Sequence, residues 1–395
     1  MVLHHDGVGY YMYLPHVFIN HSFIWQQGED MSGYLVMPGT NLVFDKYTYG
    51  TALLMLPFFL ICFIIDHIVG PPGNGFNAIY DIGVMLSAVF YLVLGMFFLV
   101  KTLAKSFKPI VVILALLGMY AGTNLYFYTI RDPAYSHVYS FFLFSLFIYL
   151  TPAFIKDTTW KKTLLMSLVF GLIFLVRPTN GVVIFYLLLY DVYTRKDLIN
   201  RFYWIKQHFL QLSVFFAACV LLSFPQLLYW HSVLGKWQFN GYQNESFIYW
   251  NKPKILHVLF GVQNGMLIYA PIAFFSIIGL FIAAYRKMIS AYAILLILGF
   301  STYLFASWWC WWYGGAFGHR GYIEYFAFLA IPNAYVISLI LNQKPLNKVL
   351  VLALFLICIV YTMLLTYAYA WPWEGAGWTW KTYGYTVMKV FGLAP

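Results

Sequence analysis

The chain is poor in charge. Only 9% of its 395 residues are Asp, Glu, Lys or Arg, where a soluble domain carries about a quarter. No segment has the makeup of a water-soluble domain. Cysteine is scarce as well. Cys62, Cys219, Cys310 and Cys358 have no CxxC spacing, so they resemble small hydrophobes and give neither a disulfide framework nor a thiolate metal site. The apolar–polar alternation of porin-like strands is missing, which excludes that class of barrel. Repeats at a solenoid period are missing too. So is a glycine-rich loop of the nucleotide-cradling kind. Acid residues number 13 against 23 basic ones, a formal charge of +10. That excess does not imply nucleic acid, because most of the basic residues sit in short loops where they set topology.

What is abundant is apolar length. Hydrophobic residues make up 62% of the chain and aromatics 22%. Stretches long enough to cross a bilayer, about 20 residues each, recur along nearly the whole chain. Membrane helices are expected at 79–100, 109–128, 136–154, 163–176, 178–192, 207–229, 266–284, 290–307, 323–341 and 349–368. The fourth and fifth are short and broken between Arg177 and Pro178, since proline disrupts a helix at or just before itself. The expected class is an all-α polytopic membrane protein in a single domain, 1–395. Within it, 1–78 is a first outer loop with juxtamembrane helices, 79–368 the transmembrane core and 369–395 an outer tail.

The few charges sort by side. Lys101, Lys105, Lys108, Lys156, Lys161, Lys162, Arg195, Lys196, Arg201, Lys206, Arg286, Lys287, Lys344 and Lys348 fall in five short loops. These 14 of the 23 basic residues mark the cytoplasmic side. Asp6, Asp45, Arg131, Asp132, His137, Arg177, Arg320 and Glu324 fall on the other. The apolar run 51–69 is long enough to span. Spanning would carry 1–48 away from the other sorted charges, so 51–69 is expected as a re-entrant or juxtamembrane helix on the outer face. Residues 15–25 have the pattern of a short interfacial helix.

Four polar stretches carry candidate chemistry. HHDGVGYY at 4–11 places Asp6 just ahead of flexible glycines and tyrosines. Asp6 fits a general base or a divalent-cation ligand, Mg or Mn, and equally a chance acid in a disordered terminus. FDKYTYG at 44–50 adds Asp45 and Lys46. In the turn at 129–137, Asp132 suits a helix N-cap before Pro133, or a charged site with Arg131 and His137. In LVRPTN at 175–180, Arg177 lies between two apolar half-helices, a costly place for a charge unless it is paired or hydrated. Asn180 follows it. SWWCWWYGGAFGHRGYIE at 307–324 is the most specific stretch. Its tryptophans alone suit an interfacial belt. The glycines, His319, Arg320 and Glu324 behind them suit a closely fitted ligand, with Arg320 offering a planar fork to phosphate.

Taken together, DGxGYY at 6–11, YTYGTALLxxPFF at 47–59, GTNL at 122–125, PxxSHxYSFF at 133–142, RPTN at 177–180 and WWxWWYGGxFGxR at 308–320 resemble a family. The chain is similar to GT-C fold glycosyltransferases, close to the dolichyl-phosphate-mannose protein mannosyltransferases (family 39) and their bacterial relatives. The resemblance implies a GT-C-like bundle and a polyprenyl-phosphate-linked sugar as donor. It implies inverting transfer to a glycan, lipid or protein acceptor at the periplasmic face of a bacterial inner membrane. It implies that Asp6 is the essential acid of the first outer loop. Arg320 and Arg177, with Arg131 and His137, would then hold the donor phosphate. Asp45, Lys46, Asp132, Asn180, His319 and Glu324 would support them, and Tyr10, Tyr11, Trp308, Trp311 and Trp312 would line the ligand. The family carries a membrane helix ahead of its first outer loop, whereas five residues precede Asp6 here. A transporter or flippase for an anionic or lipid-linked substrate is the alternative, since broken helices and interior arginines occur there too.

Overall fold

Apolar helices separated by short charged or glycine- and proline-containing turns make up most of the computed structural model, which describes residues 2–26, 35–37, 40, 42–71, 73–238, 241–242, 245–370 and 373–394. The chain opens with α1 (Asp6–Phe18). Three short strands follow, β1 (Trp25–Gln26), β2 (Leu35–Val36) and β3 (Leu42–Phe44), in an antiparallel sheet of order β1-β3-β2. Next come α2 (Gly50–Val69), α3 (Ala78–Leu103), α4 (Pro109–Ala121), α5 (Leu125–Ile130), α6 (Ser136–Lys156) and α7 (Trp160–Val176). A 3-10 turn at Pro178–Val183 leads to α8 (Ile184–Leu189), then α9 (Arg195–Gln207) and α10 (Phe209–Leu234). The rest is α11 (Ile255–Phe260), α12 (Met266–Tyr269), α13 (Ala273–Tyr285), α14 (Ala291–Ser307), α15 (Phe326–Leu341), α16 (Pro345–Ala368) and α17 (Trp380–Val390). Among the described residues, α2, α3, α6, α10 and α16 are long and apolar enough to cross a membrane, and five shorter apolar helices accompany them.

Local signals explain the boundaries. The Asn77 side chain caps α3 by accepting from Ile79 N at 2.9 Å. Pro109 and Pro345 start their helices, where no backbone N–H is needed. Thr194 and Asp197 form a capping box on α9, whose charged and exposed residues mark it as a surface helix. The expected helix at 109–128 is interrupted at Gly122–Asn124. There the Thr123 hydroxyl bonds back to Met119 O at 2.5 Å, and Asn124 turns to the loop at Phe317. The break at Arg177–Pro178 is present.

The helices pack as a layered bundle. α3 lies along α6, α7 between α6 and α10, and α13 against α15. Small residues let helix axes close up, as expected where lipid offers no hydrophobic drive. At Gly279 of α13 an added Cβ would lie 2.2 Å from Pro332 O of α15.

Two elements of the N-terminal region differ from expectation. The helix predicted at 15–25 lies instead at 6–18, with Pro15 inside it. Burial of Tyr10 through Leu14 compensates for two glycines and a proline, so Asp6 opens a helix instead of riding on a flexible loop. The second is α2. Just before its start, Thr48 Oγ1 donates to Val176 O at the C-terminal end of α7 (3.3 Å). Near its far end, Asp66 accepts from Gly73 N (2.9 Å), Asn77 Nδ2 (2.7 Å) and the Tyr80 hydroxyl (3.2 Å) at the start of α3. The end of α7 and the start of α3, each tied to one end of α2, belong to the same end of the bundle.

Candidate functional site

At that end of the bundle lies a cavity of about 370 Å³. α1 brings Asp6 and Tyr10 to it, and the turn after β3 brings Lys46 and Tyr47. The start of α6 contributes His137, and the break after α7 contributes Arg177. Gly241, Tyr242, Glu245 and Phe247 and the Trp-rich segment at 308–320 line the rest, the latter with Trp308, Trp309 and Arg320.

The charges meet pairwise. Arg320 Nη1 lies 2.8 Å from Asp6 Oδ2, and the guanidinium sits 5.3 Å from the centre of the Tyr135 ring. Burial raises the Asp6 carboxyl, but Arg320, the Tyr47 hydroxyl and Lys46 outweigh it and hold the group below the usual carboxylate range. Asp6 is therefore ionised at neutral pH, as a base must be. Arg177 Nη1 lies 3.4 Å from Glu324 Oε1 and 2.9 Å from His137 Nδ1. The same Nδ1 lies 3.0 Å from Glu324 Oε2. A guanidinium only donates and a carboxylate only accepts, so Nδ1 serves one partner at a time. Glu324 is fully buried behind the cavity wall, and Arg177 leans from it toward the open space.

Other candidates hold the frame and do not line the space. Asp45 is buried, accepting from Tyr47 N at 2.8 Å, while its own backbone N–H donates to the Tyr229 hydroxyl at 3.0 Å. Burial pushes its carboxyl well above the usual range. Its part is to fix the turn that presents Lys46. Arg131 donates to Thr366 O at 3.2 Å, tying α5 to α16. Asp132 lies 3.5 Å from His4. It does not cap α6, which begins at Ser136 without a side-chain cap. Asn180 donates to Ser140 Oγ at 3.2 Å. His319 bonds Trp311 O at 3.0 Å.

Of the aromatic candidates, Tyr10 and Trp308 line the cavity and Tyr11, Trp311 and Trp312 do not. Neighbouring residues on a helix point about 100° apart, so Tyr11 turns away and donates to Gly75 O at 2.7 Å. Trp312 Nε1 donates to Glu374 at 2.7 Å, and Trp311 packs on His257. Trp309 takes the place on the wall instead.

The Trp-rich segment is held carbonyl by carbonyl. Asn264 donates to Trp312 O (2.8 Å) and Gly314 O (2.9 Å), Tyr369 to Gly315 O (2.7 Å) and Asn124 to Phe317 O (3.0 Å). Sequence reasoning missed Asn264 and Glu245. Neither lies in a recognisable motif, and the GYQNE stretch holding Glu245 includes residues 243 and 244, outside the described residues.

Asp6 Oδ2 is taken by Arg320, and among the described residues no three His, Cys, Asp or Glu side chains gather as ligands for a cation.

A second cavity, about 620 Å³ and almost wholly apolar, lies beside the first. It runs between α7, the 178–183 turn, α10 and α14, over Phe174, Val182, Phe216, Val220, Leu227 and Phe300. The two share Thr48, Pro178, Thr179, Trp230 and Leu304.

The structure is similar to that of the archaeal oligosaccharyltransferase AglB from Archaeoglobus fulgidus, solved in complex with an inhibitory peptide and a dolichol-phosphate. The TM-score is 0.54 at 14% sequence identity, and the match covers 91% of this chain and 51% of that one. The chain thus spans about half the length of that enzyme. No family model matches the sequence, and no curated protein does. At this identity the likeness speaks to architecture: the chain has the fold of a GT-C-like polytopic membrane bundle.

Proposed function

We propose that this protein transfers a sugar from a polyprenyl-phosphate donor to an acceptor hydroxyl, with inversion, at the outer face of the membrane. The observation that carries the reading is one cavity lined by Asp6, Arg177 and Arg320 beside an apolar groove with which it shares lining residues. A lipid-linked sugar phosphate has these parts: a charged head, a reactive carbon and an apolar tail. The AglB structure, with its bound dolichol-phosphate, supports the same class of donor. Gathering of the charges at one end favours this over transport, which calls for polar groups near mid-membrane.

The chemistry follows from the groups in place. The prenyl chain lies in the groove between α7, α10 and α14, and the phosphate meets Arg177 and Arg320. Engaging Arg320 frees Asp6 from its partner. The acceptor oxygen attacks C1 and gives its proton to Asp6. The C1–O bond breaks on the opposite side, and its electron pair goes to the phosphate. The two guanidinium groups stabilise that growing charge. One carboxylate suffices, because a phosphate departs without protonation by a second acid. The finer assignment, to relatives of the family 39 mannosyltransferases acting on the periplasmic side of a bacterial inner membrane, rests on the motif resemblance and the charge sorting.

The test is incubation of membranes containing the protein with a panel of polyprenyl-phosphate sugars and mixed glycan, lipid and protein acceptors. Release of lipid phosphate from at least one donor, with a product of inverted anomeric configuration, is expected. Silence across the panel overturns the function, and a retained configuration overturns the single-displacement route.

A further inference from the structure

Another part of the cavity lining carries a different chemistry. Lys46 and Glu245, 199 residues apart in sequence, form an ion pair there. Glu245 Oε1 takes Lys46, and Oε2 accepts from Trp309 Nε1 at 3.1 Å. The backbone behind them is fixed. Trp309 N donates to Ser246 O at 3.0 Å. Gly241 lies so close to the Lys46 carbonyl that an added Cβ would sit 2.2 Å away. The two side chains are 34% and 26% exposed and both line the cavity. A carboxylate has about four lone-pair sites and an ammonium three donors, so each keeps bonding capacity beyond the pair. Trp308 and Trp309 stand on the same wall.

This wall suits neither a phosphate nor a purely apolar group. The carboxylate repels phosphate and already balances the ammonium charge. An apolar ligand would strip water from both charges and return no hydrogen bonds. A neutral ligand with neighbouring hydroxyls and an apolar ring face satisfies all of it. Hydroxyls donate to Glu245, ring or hydroxyl oxygens accept from Lys46, and the C–H face lies on a tryptophan. The volume, about 370 Å³, is at the small end of ligand cavities, about 300–1,000 Å³, which suits one sugar ring better than a branched glycan.

We propose that Glu245 and Lys46, with Trp308 and Trp309, form a carbohydrate subsite that reads the hydroxyls of the sugar carried by the donor. The inference rests on the proposed function and adds the residues that choose the sugar, with Glu245 as a specificity determinant.

Purified protein in detergent supplies the test. Affinities are measured for farnesyl phosphate, which has no sugar, for its mannosyl, glucosyl and arabinosyl derivatives, and for methyl α-mannoside as a free glycoside. The wild-type protein is expected to bind at least one glycosylated lipid about tenfold more tightly than farnesyl phosphate. Glu245→Gln is expected to remove most of that gain, as loss of charge-assisted hydrogen bonds does, and to leave farnesyl phosphate within about twofold. Equal weakening of both lipids, or an unchanged gain, overturns the subsite. So does weakening confined to methyl α-mannoside, which assigns the wall to the acceptor. Failure of farnesyl phosphate itself to bind the wild type is a separate signature, and sinks the donor reading on which the subsite depends. Should Glu245→Gln not fold, Glu245→Asp, which keeps the charge and shortens the reach, carries the same comparison.

Discussion

Arg320 contributes geometry as well as charge. Its planar fork faces Asp6 at 2.8 Å and its body lies over Tyr135, so a lysine in its place keeps one positive charge and loses the fork and the stacking. Arg320→Lys is expected to lower turnover about 100-fold, the scale of one lost transition-state donor, with thermal stability nearly kept. Turnover with the lipid-linked donor beside a melting curve checks it. A loss of folding in parallel with activity points to a structural role instead. Asp132 offers a pH test. Burial pushes its carboxyl up to about 6, against the opposing effect of Arg320 and Arg131. The folded state thus prefers the protonated acid, and ionisation costs stability as pH rises from the unfolded value near 3.8 toward 6. Asp132→Asn is expected to flatten that slope and to stabilise the protein at pH 7 by about 1–2 kcal/mol. Melting temperatures across pH 4–7.5 read it directly, and a steeper slope in the variant contradicts it. At this scale Asp6, Arg177 and Arg320 were legible, because a charge inside an apolar chain stands out. Glu245 and Asn264 were not. Each acts through a partner far away in sequence, Lys46 for the one and the carbonyls of Trp312 and Gly314 for the other, and nothing local marks such a pairing.

Asn264 makes its test at the level of the element it holds. Asn264→Ala removes the donors of two loop carbonyls and is expected to cost about 1–3 kcal/mol. The loop should then loosen, with faster hydrogen exchange at 308–319 than elsewhere. α2 supplies a second test. By length and apolarity it qualifies as a span, while hydrogen bonds near its ends join it to Val176 of α7 and to Asn77 and Tyr80 at the start of α3. In a background free of native cysteines, Thr40→Cys and Gly70→Cys are expected to label from the same side of the membrane. Both residues are exposed. Lys108→Cys, also exposed, should label from the other side. Opposite labelling of Thr40→Cys and Gly70→Cys means that α2 crosses. Charge parity is what argues for a non-crossing α2, since only that keeps 1–48 with Arg177 and Arg320. α1 was misplaced for a physical reason. Gly7, Gly9 and Pro15 disfavour a helix locally, and the burial of Tyr10, Tyr11 and Leu14 that outweighs them is a tertiary effect.

At the scale of the whole molecule, the polar cavity and the apolar groove lie side by side between helices and share five lining residues. The sorting of basic loops made the two-sided bundle legible, while the groove was not, because every apolar helix has an apolar face and only packing decides which faces stay uncovered. If the groove takes the prenyl chain, filling it should matter in proportion to chain length. Val220→Trp is expected to raise the KM for a long-chain donor several-fold more than that for a farnesyl donor. Equal effects on both place the tail elsewhere. The central claim is that Asp6 performs the proton transfer in a cavity whose arginines hold the donor. Its most direct test is the release of lipid phosphate by Asp6→Asn beside the wild type, with donor binding measured on the same samples. The account predicts at least about 100-fold slower release with donor affinity kept within a few-fold. Near wild-type release by Asp6→Asn would contradict it.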